Sequence, residues 1–356
     1  MESVGEKNSI DQLEDRLGVR WLMIKKAREN ATEKRGQLRK ALDSLDSDDT
    51  SIIVFGSLAR DEFTSGSDID WTLLVDGMAD PQHFDDALKI KKHITDVQER
   101  PPGREGTFEG LTVSHDLIHR IGGEDDTNRN TTQRILLLLE SAPIGRSEAY
   151  ARVVNNILRR YVTEDYGLVH SKGPYNVPRF LQNDVARFWR TMAVDFAYKQ
   201  RQRADEGWAL RASKLRISRK LTYASGLLMC FASELDRPKA LESAGAELAL
   251  HQYVDNLRLY TEKTPLEIVA RTLLRFPQLS ELAITLFDTY DESLCKLDDN
   301  GTRSHLEHLS RNQADSDEVY NTMRQLGHKF QNSLTQLFLE ENGTGLYKLT
   351  KVYGVF

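Results

Sequence analysis

The stretch Ser51–Gly77, SIIVFGSLARDEFTSGSDIDWTLLVDG, constrains the fold more than any other part of the chain. Ser51–Phe55 is a short apolar, β-branched run that stops at Gly56, as a buried strand stops at a turn. A short helical segment and a second turn, Ser65-Gly66-Ser67, lead to a strand that opens with Asp68-Ile69-Asp70. Side chains alternate across a strand. Ile69, Trp71, Leu73 and Val75 therefore share one face, and Asp68, Asp70 and Thr72 share the other. The pattern sets two carboxylates side by side on a strand whose opposite face is apolar.

Two like charges that close repel unless a cation lies between them. Oxygen donors suit a hard divalent ion such as Mg²⁺, with Mn²⁺ as a substitute. The Gly56-Ser57 turn offers backbone N–H groups and a hydroxyl to a phosphate, and no side chain at Gly56 stands in the way. Phosphate donors beside a metal-binding acid pair describe a site for phosphoryl or nucleotidyl transfer. A lone acid pair or a lone Gly-Ser is a weak signal, since strand ends at the surface often carry acids. Strand, Gly-Ser turn, acid pair and strand in this order are specific.

FGSLARDEFTSGSDID resembles the signature of the DNA polymerase β-like nucleotidyltransferase superfamily, a Gly-Ser followed after a spacer by two aspartates one residue apart. The resemblance implies an α+β fold with a small mixed sheet and helices on one face. It also implies an NTP substrate, two Mg²⁺ ions held by Asp68 and Asp70, and a third carboxylate from a neighbouring strand. Gly56 and Ser57 would hold the phosphates, and Arg60, one turn on, is either a helper or an exposed side chain. For the third acid, TFEGLTVSHDLIHRI alternates Leu111, Val113, His115 and Leu117 against Thr112, Ser114 and Asp116. Paired beside the second strand, it would point Asp116 to the side of Asp68 and Asp70. Glu109 is the second candidate, and a solvated strand-end acid is the other reading of Asp116. His115 and His119 read as core or edge histidines.

At 356 residues the chain is expected to form two domains. These are a palm-like nucleotidyltransferase domain with an N-terminal helix over 1–145 and an all-α helical bundle over 146–356. Ile10–Leu45 has helical period and forms one helix or two. Asp80 and Pro81 open a helix that runs to about Val97. Pro101–Gly106 is a loop. From Ser147 on, helical patterns dominate, among them Arg179–Arg203, Trp208–Glu234 and Pro238–Leu257.

The formal net charge of −6 gives no global basic field, so DNA binding is not expected and any phosphate contact must be local. Trp208–Ala224 is one such basic stretch. In it Lys214 falls within the apolar stripe of Leu210, Ile217 and Leu221, where a lysine needs a partner or a cleft. A cleft between the sheet and the helical lobe is where the superfamily seats a triphosphate. Lys214 and Arg211 are therefore the candidate triphosphate contacts, with ordinary salt bridges to Asp184 and Asp195 as the competing reading. Trp189, Trp208 and Tyr223 are either base-stacking or core aromatics. Cys230 and Cys295 lie in helical patterns and read as small buried hydrophobes of a reduced compartment. No signal peptide or membrane-length apolar run is evident, so a soluble cytoplasmic protein is expected.

Three functions stay open. The first is Mg-dependent, ATP- or other NTP-using transfer of NMP to a hydroxyl of a protein, RNA or small molecule, with pyrophosphate release. VSHDLIHR, the acidic loop and TQRILLLLES together resemble the protein-nucleotidylating branch, the uridylyl- and adenylyltransferases of nitrogen regulation, which implies a macromolecular acceptor. The second is synthesis of a cyclic or linear oligonucleotide messenger. The Gly-Ser and acid pair, with a helix before the first strand, also resemble the synthases of bacterial anti-phage defence. The third is a non-catalytic nucleotide-binding protein with the same fold.

Overall fold

A computed structural model describes residues 7–97, 110–165, 168, 177–202, 206–235 and 246–354. Glu109, the loop at Pro101–Gly106 and parts of the helices expected at Arg179–Arg203 and Pro238–Leu257 lie outside the described residues. The protein is α+β: a four-stranded mixed sheet set among many helices. Its strands are β1 (Thr50–Phe55), β2 (Asp70–Val75), β3 (Leu111–Val113) and β4 (Ser141–Pro143), in the spatial order β3-β2-β1-β4. β1 is central and antiparallel to both neighbours, with Phe55 opposite Asp70 on one side and Ser141 on the other. β2 and β3 run parallel, Val75 beside Val113.

The alternation in the sequence sets which side chain meets which layer. Ile52, Val54, Trp71 and Leu73 pack on one face against Leu38 and Leu42 of α2 (Leu22–Leu42), with Ile90 and Ile94 of α4 (Gln82–Val97). Ile53, Phe55 and Leu74 face the other way. They join a larger core with Ile135–Leu139 of α6 (Asn128–Leu139), Val153 and Ile157 of α7 (Glu148–Thr163), and the later helices. That core also takes Ile10 and Leu13 of α1 (Ser9–Leu17), so it runs continuously across residue 145.

The Ile10–Leu45 segment is two helices, divided where Gly18 caps α1 in the left-handed conformation. Trp21 follows this break and anchors the chain. Its ring stacks on Phe287 at 4.5 Å and its indole N–H donates to Asp288 at 2.8 Å. The helix expected at Trp208–Glu234 also breaks. α9 (Trp208–Arg216) and α10 (Ser218–Leu235) meet at Ile217, which leaves helical geometry with φ −119 and ψ −80. They follow α8 (Arg179–Gln202) in the chain. Among the described residues no helix is long and apolar enough to cross a membrane. Cys230 is buried, but Cys295 is exposed, because it falls on the outward side of its helix.

The strand expected through Leu117 ends at Val113. Ser114–His119 forms a short helix, α5, that buries Ser114, Leu117 and Ile118. Burial at i, i+3 and i+4 is helical spacing and overrides the strand-like alternation. Asp116 therefore sits on a helix, half exposed, paired with Arg120 at 3.0 Å. It lies beyond the Val75 end of β2, about 16 Å along the strand from Asp70 at ordinary strand rise.

Truncating Trp21→Ala removes the stack and the indole hydrogen bond together. It is expected to cost about 3–5 kcal/mol, read by urea unfolding. A loss under about 1 kcal/mol, the scale of a surface change, would show that the N-terminal segment is not anchored this way.

Candidate active site

β1 delivers its chain to the site at Gly56. Phe55 is extended, and Gly56 turns left-handed at φ +66. A Cβ there would lie 3.1 Å from Asp70 Oδ2, so the missing side chain lets the turn come against the acid. Ser57 follows, half-buried, its hydroxyl without a protein partner among the described residues. The next approach is also fixed by a glycine. A Cβ on Gly66 would lie 2.5 Å from the Arg303 side chain, and Ser65 donates from its N–H to Asp298 at 3.1 Å. The turn that precedes Asp68 is thus held by α13 (Ser280–Asp298) and α14 (Asn300–His308).

Asp68 and Asp70 come together here as the alternation predicts. Neither has a hydrogen-bond donor or an ion pair within 4 Å among the described residues. Asp70, at the head of β2, is raised to about 6, mainly by burial and next by the neighbouring Asp68 charge. Arg219 and Lys214 pull the other way, and Glu140 adds to the rise. Two carboxylates left unpaired in a half-buried site form an anionic pocket with no cation of its own in contact.

Lys214 reaches this pocket from the last turn of α9. Burial pushes its ammonium down to about 8, while Asp68 works to keep it charged and Arg303, Arg219 and Arg60 to discharge it. Arg219, in the first turn of α10, faces Asp70 electrostatically but binds Glu140, its Nη1 donating to Oε1 at 2.7 Å. The break at Ile217 lets consecutive helices present both cations. A straight helix would separate Lys214 and Arg219 by five residues, well over a turn.

Arg211 is not brought to the acids. It folds back on the start of α9 and donates to the Glu206 carbonyl at 2.6 Å, beside left-handed Gly207. Asp116 is likewise remote. Arg60 is neither a phosphate contact nor exposed. It is buried, its Nε donating to Glu62 at 2.9 Å and its Nη1 to Glu140 at 2.7 Å. Asp184 pairs with Arg134 and Asp195 with Lys199, so neither competes for Lys214. Trp189 and Tyr223 stack on each other at 5.5 Å, and buried Trp208 donates to the Leu309 carbonyl.

Sequence reasoning did not single out Glu140, Arg219 or Arg303 for the site. Arg219 was visible as a cation five residues past Lys214, but nothing local tied it to an acid far along the chain.

The donor set fits a hard divalent ion: two carboxylates without partners among the described residues, beside a glycine turn. No cluster of three or more metal-ligating side chains exists among the described residues. Asp68 and Asp70 are therefore the residues here that could hold such an ion.

Residues 35–102 match the model of the nucleotidyltransferase domain, a span that holds Gly56, Ser57, Asp68 and Asp70. This is consistent with the polymerase β-like superfamily, whose domains use an NTP and divalent metal ions. No curated protein and no solved structure matches the sequence.

A raised acid is protonated more in the folded than in the unfolded chain between about pH 4 and the folded value. Asp70 thus lowers stability as pH rises through that window, and the cost persists above about 6. Asp70→Asn is expected to unfold at higher urea at pH 8, by about 1–3 kcal/mol, with the gain gone by about pH 4. A gain that is the same at both pH values would contradict a buried, uncompensated charge.

Proposed function

Starting from a chain that carries a nucleotidyltransferase domain, and so is a transferase, we propose that it moves a nucleoside monophosphate from an NTP to a hydroxyl, releasing pyrophosphate in a Mg²⁺-dependent reaction. The observation that carries this is the Asp68–Asp70 pair, without an ion pair among the described residues and set against Gly56, with Lys214 in electrostatic reach of Asp68. The acids hold the metal, the Gly56–Ser57 turn receives the phosphates, and Lys214 draws the triphosphate into place. Divalent metal bound at the acids supplies charge neutralisation on the triphosphate and a lowered pKa for the attacking hydroxyl. Ser57 Oγ, unclaimed among the described residues, can donate to a phosphate oxygen. The net charge and the absence of a basic field favour an acceptor other than DNA. A cytoplasmic setting, with its supply of NTP and Mg²⁺, suits the reaction.

Incubation of the purified chain with labelled NTPs and Mg²⁺ tests the reading. Wild type is expected to release pyrophosphate and Asp68→Ala/Asp70→Ala to release none, with circular dichroism unchanged. The product then assigns the acceptor. Label on protein or RNA marks a transferase on a macromolecule, and a nuclease-resistant small product marks an oligonucleotide synthase of the anti-phage type. Release that persists in the double variant would sink the metal assignment.

Lys214 gives a second handle. Lys214→Ala loses a charge-assisted contact and is expected to raise the NTP KM about tenfold or more. At limiting Mg²⁺, kcat/KM is expected to rise through about 6 with Asp70 and to fall through about 8 with Lys214. Loss of the alkaline limb in Lys214→Arg would confirm the assignment, and an unchanged limb would refute it.

A further inference from the structure

Glu140 ends α6 and immediately precedes β4. Because Phe55 lies opposite both Asp70 and Ser141, Glu140 falls one residue outside a row that runs across three strands, at the Gly56 end. The side chain is buried at 3% exposure. A carboxylate so placed is costly unless donors surround it, and three do. Arg60 donates to Oε2 at 2.7 Å, Thr222 to the same oxygen at 3.2 Å, and Arg219 to Oε1 at 2.7 Å. Arg60 is also held by Glu62, which accepts a hydrogen bond from the Tyr290 hydroxyl. Two arginines and two glutamates close a network whose charges cancel.

The balance matters because the network borders the acid pair. Arg219 is the least confined member, with a third of its side chain exposed. It has two acids in electrostatic reach: Glu140, which it contacts, and Asp70, which it does not. A guanidinium released from Glu140 would have in Asp70 a second carboxylate within electrostatic reach, unpaired among the described residues, and an Arg219–Asp70 pair would fill the oxygens that a metal needs. We propose that Glu140 is a positioning residue that holds Arg219 off Asp70 and so keeps the acid pair open to a divalent cation. This rests on the metal role proposed for Asp68 and Asp70. It adds that the acid pair stays open to metal because a buried acid outside it absorbs Arg219.

A double-mutant cycle on the full chain, read by Mn²⁺ alone in an electron paramagnetic resonance titration without nucleotide, tests this. Circular dichroism and thermal melts accompany each variant. Wild type is expected to bind Mn²⁺, and Asp68→Ala/Asp70→Ala to lose it. Were wild type to bind none, the metal reading itself would fail and this inference with it. With wild-type binding in hand, Glu140→Gln is expected to weaken Mn²⁺ at least tenfold, and Glu140→Gln/Arg219→Gln to recover most of that loss. Arg219→Gln alone is expected to shift affinity less than threefold, since Glu140 already holds that arginine away. Three results overturn the proposal while leaving the metal site standing. They are wild-type affinity in folded Glu140→Gln, no recovery in the double variant, and tenfold tightening in Arg219→Gln alone. The last is decisive even if Glu140→Gln does not fold. A purely structural Glu140 would lower the melting temperature in both backgrounds and give no recovery.

Discussion

Two carboxylates stand close together at the head of a strand, and among the described residues neither has a salt bridge. Repulsion of that kind is normally relieved in a folded chain by an arginine or lysine in contact. Here the available cations are directed elsewhere. Arg60 and Arg219 are bound by Glu140 and Glu62, Arg303 packs on Gly66, and Lys214 stays beyond pairing distance. The fold is arranged around this retained negative charge. The sheet fixes the acids, the two glycines let backbone and arginine close in on them, and the helices bring cations near without letting them neutralise the pair.

This arrangement explains why the sheet is covered on both faces although its site needs only one edge. α2 and α4 bury the Trp71 face and fix the register of β2, because a slip by one residue would turn Asp70 into that core. The later helices bury the Phe55 face, and two of them, α9 and α10, are broken apart at Ile217. Packing and electrostatics are thus linked: the same helices that complete the core present Lys214 and Arg219. The N-terminal segment, tied by Trp21 to Phe287 and Asp288, clasps the sheet to those helices from the other end of the chain.

Asp68, Asp70, Gly56 and the two-faced strand were legible in the sequence because their placement depends on local rules of alternation and turn chemistry. Lys214 was legible as an anomaly, a charge inside an apolar stripe. What local rules missed depends on long-range contact. Asp116 read as a strand residue because three alternating positions look alike in a strand and in a short helix until Leu117 and Ile118 are seen buried together. Arg60 looked exposed because Glu140 lies 80 residues on. Arg211 looked like the partner of Lys214, whereas the helix break at Ile217 brings Arg219 within electrostatic reach of Asp70 and leaves Arg211 on the Glu206 carbonyl. β4 escaped notice because its Ser-Ala-Pro sequence has little strand character, and it pairs as an edge where a proline is tolerated.

The most direct measurement is anomalous diffraction at the manganese edge from crystals grown with Mn²⁺ and a non-hydrolysable NTP. Manganese is expected within coordination distance of both Asp68 and Asp70, the triphosphate against Gly56 and Ser57, and Arg219 still on Glu140. Manganese bound away from the acids, or Arg219 bridging Asp70 in its place, would contradict that expectation.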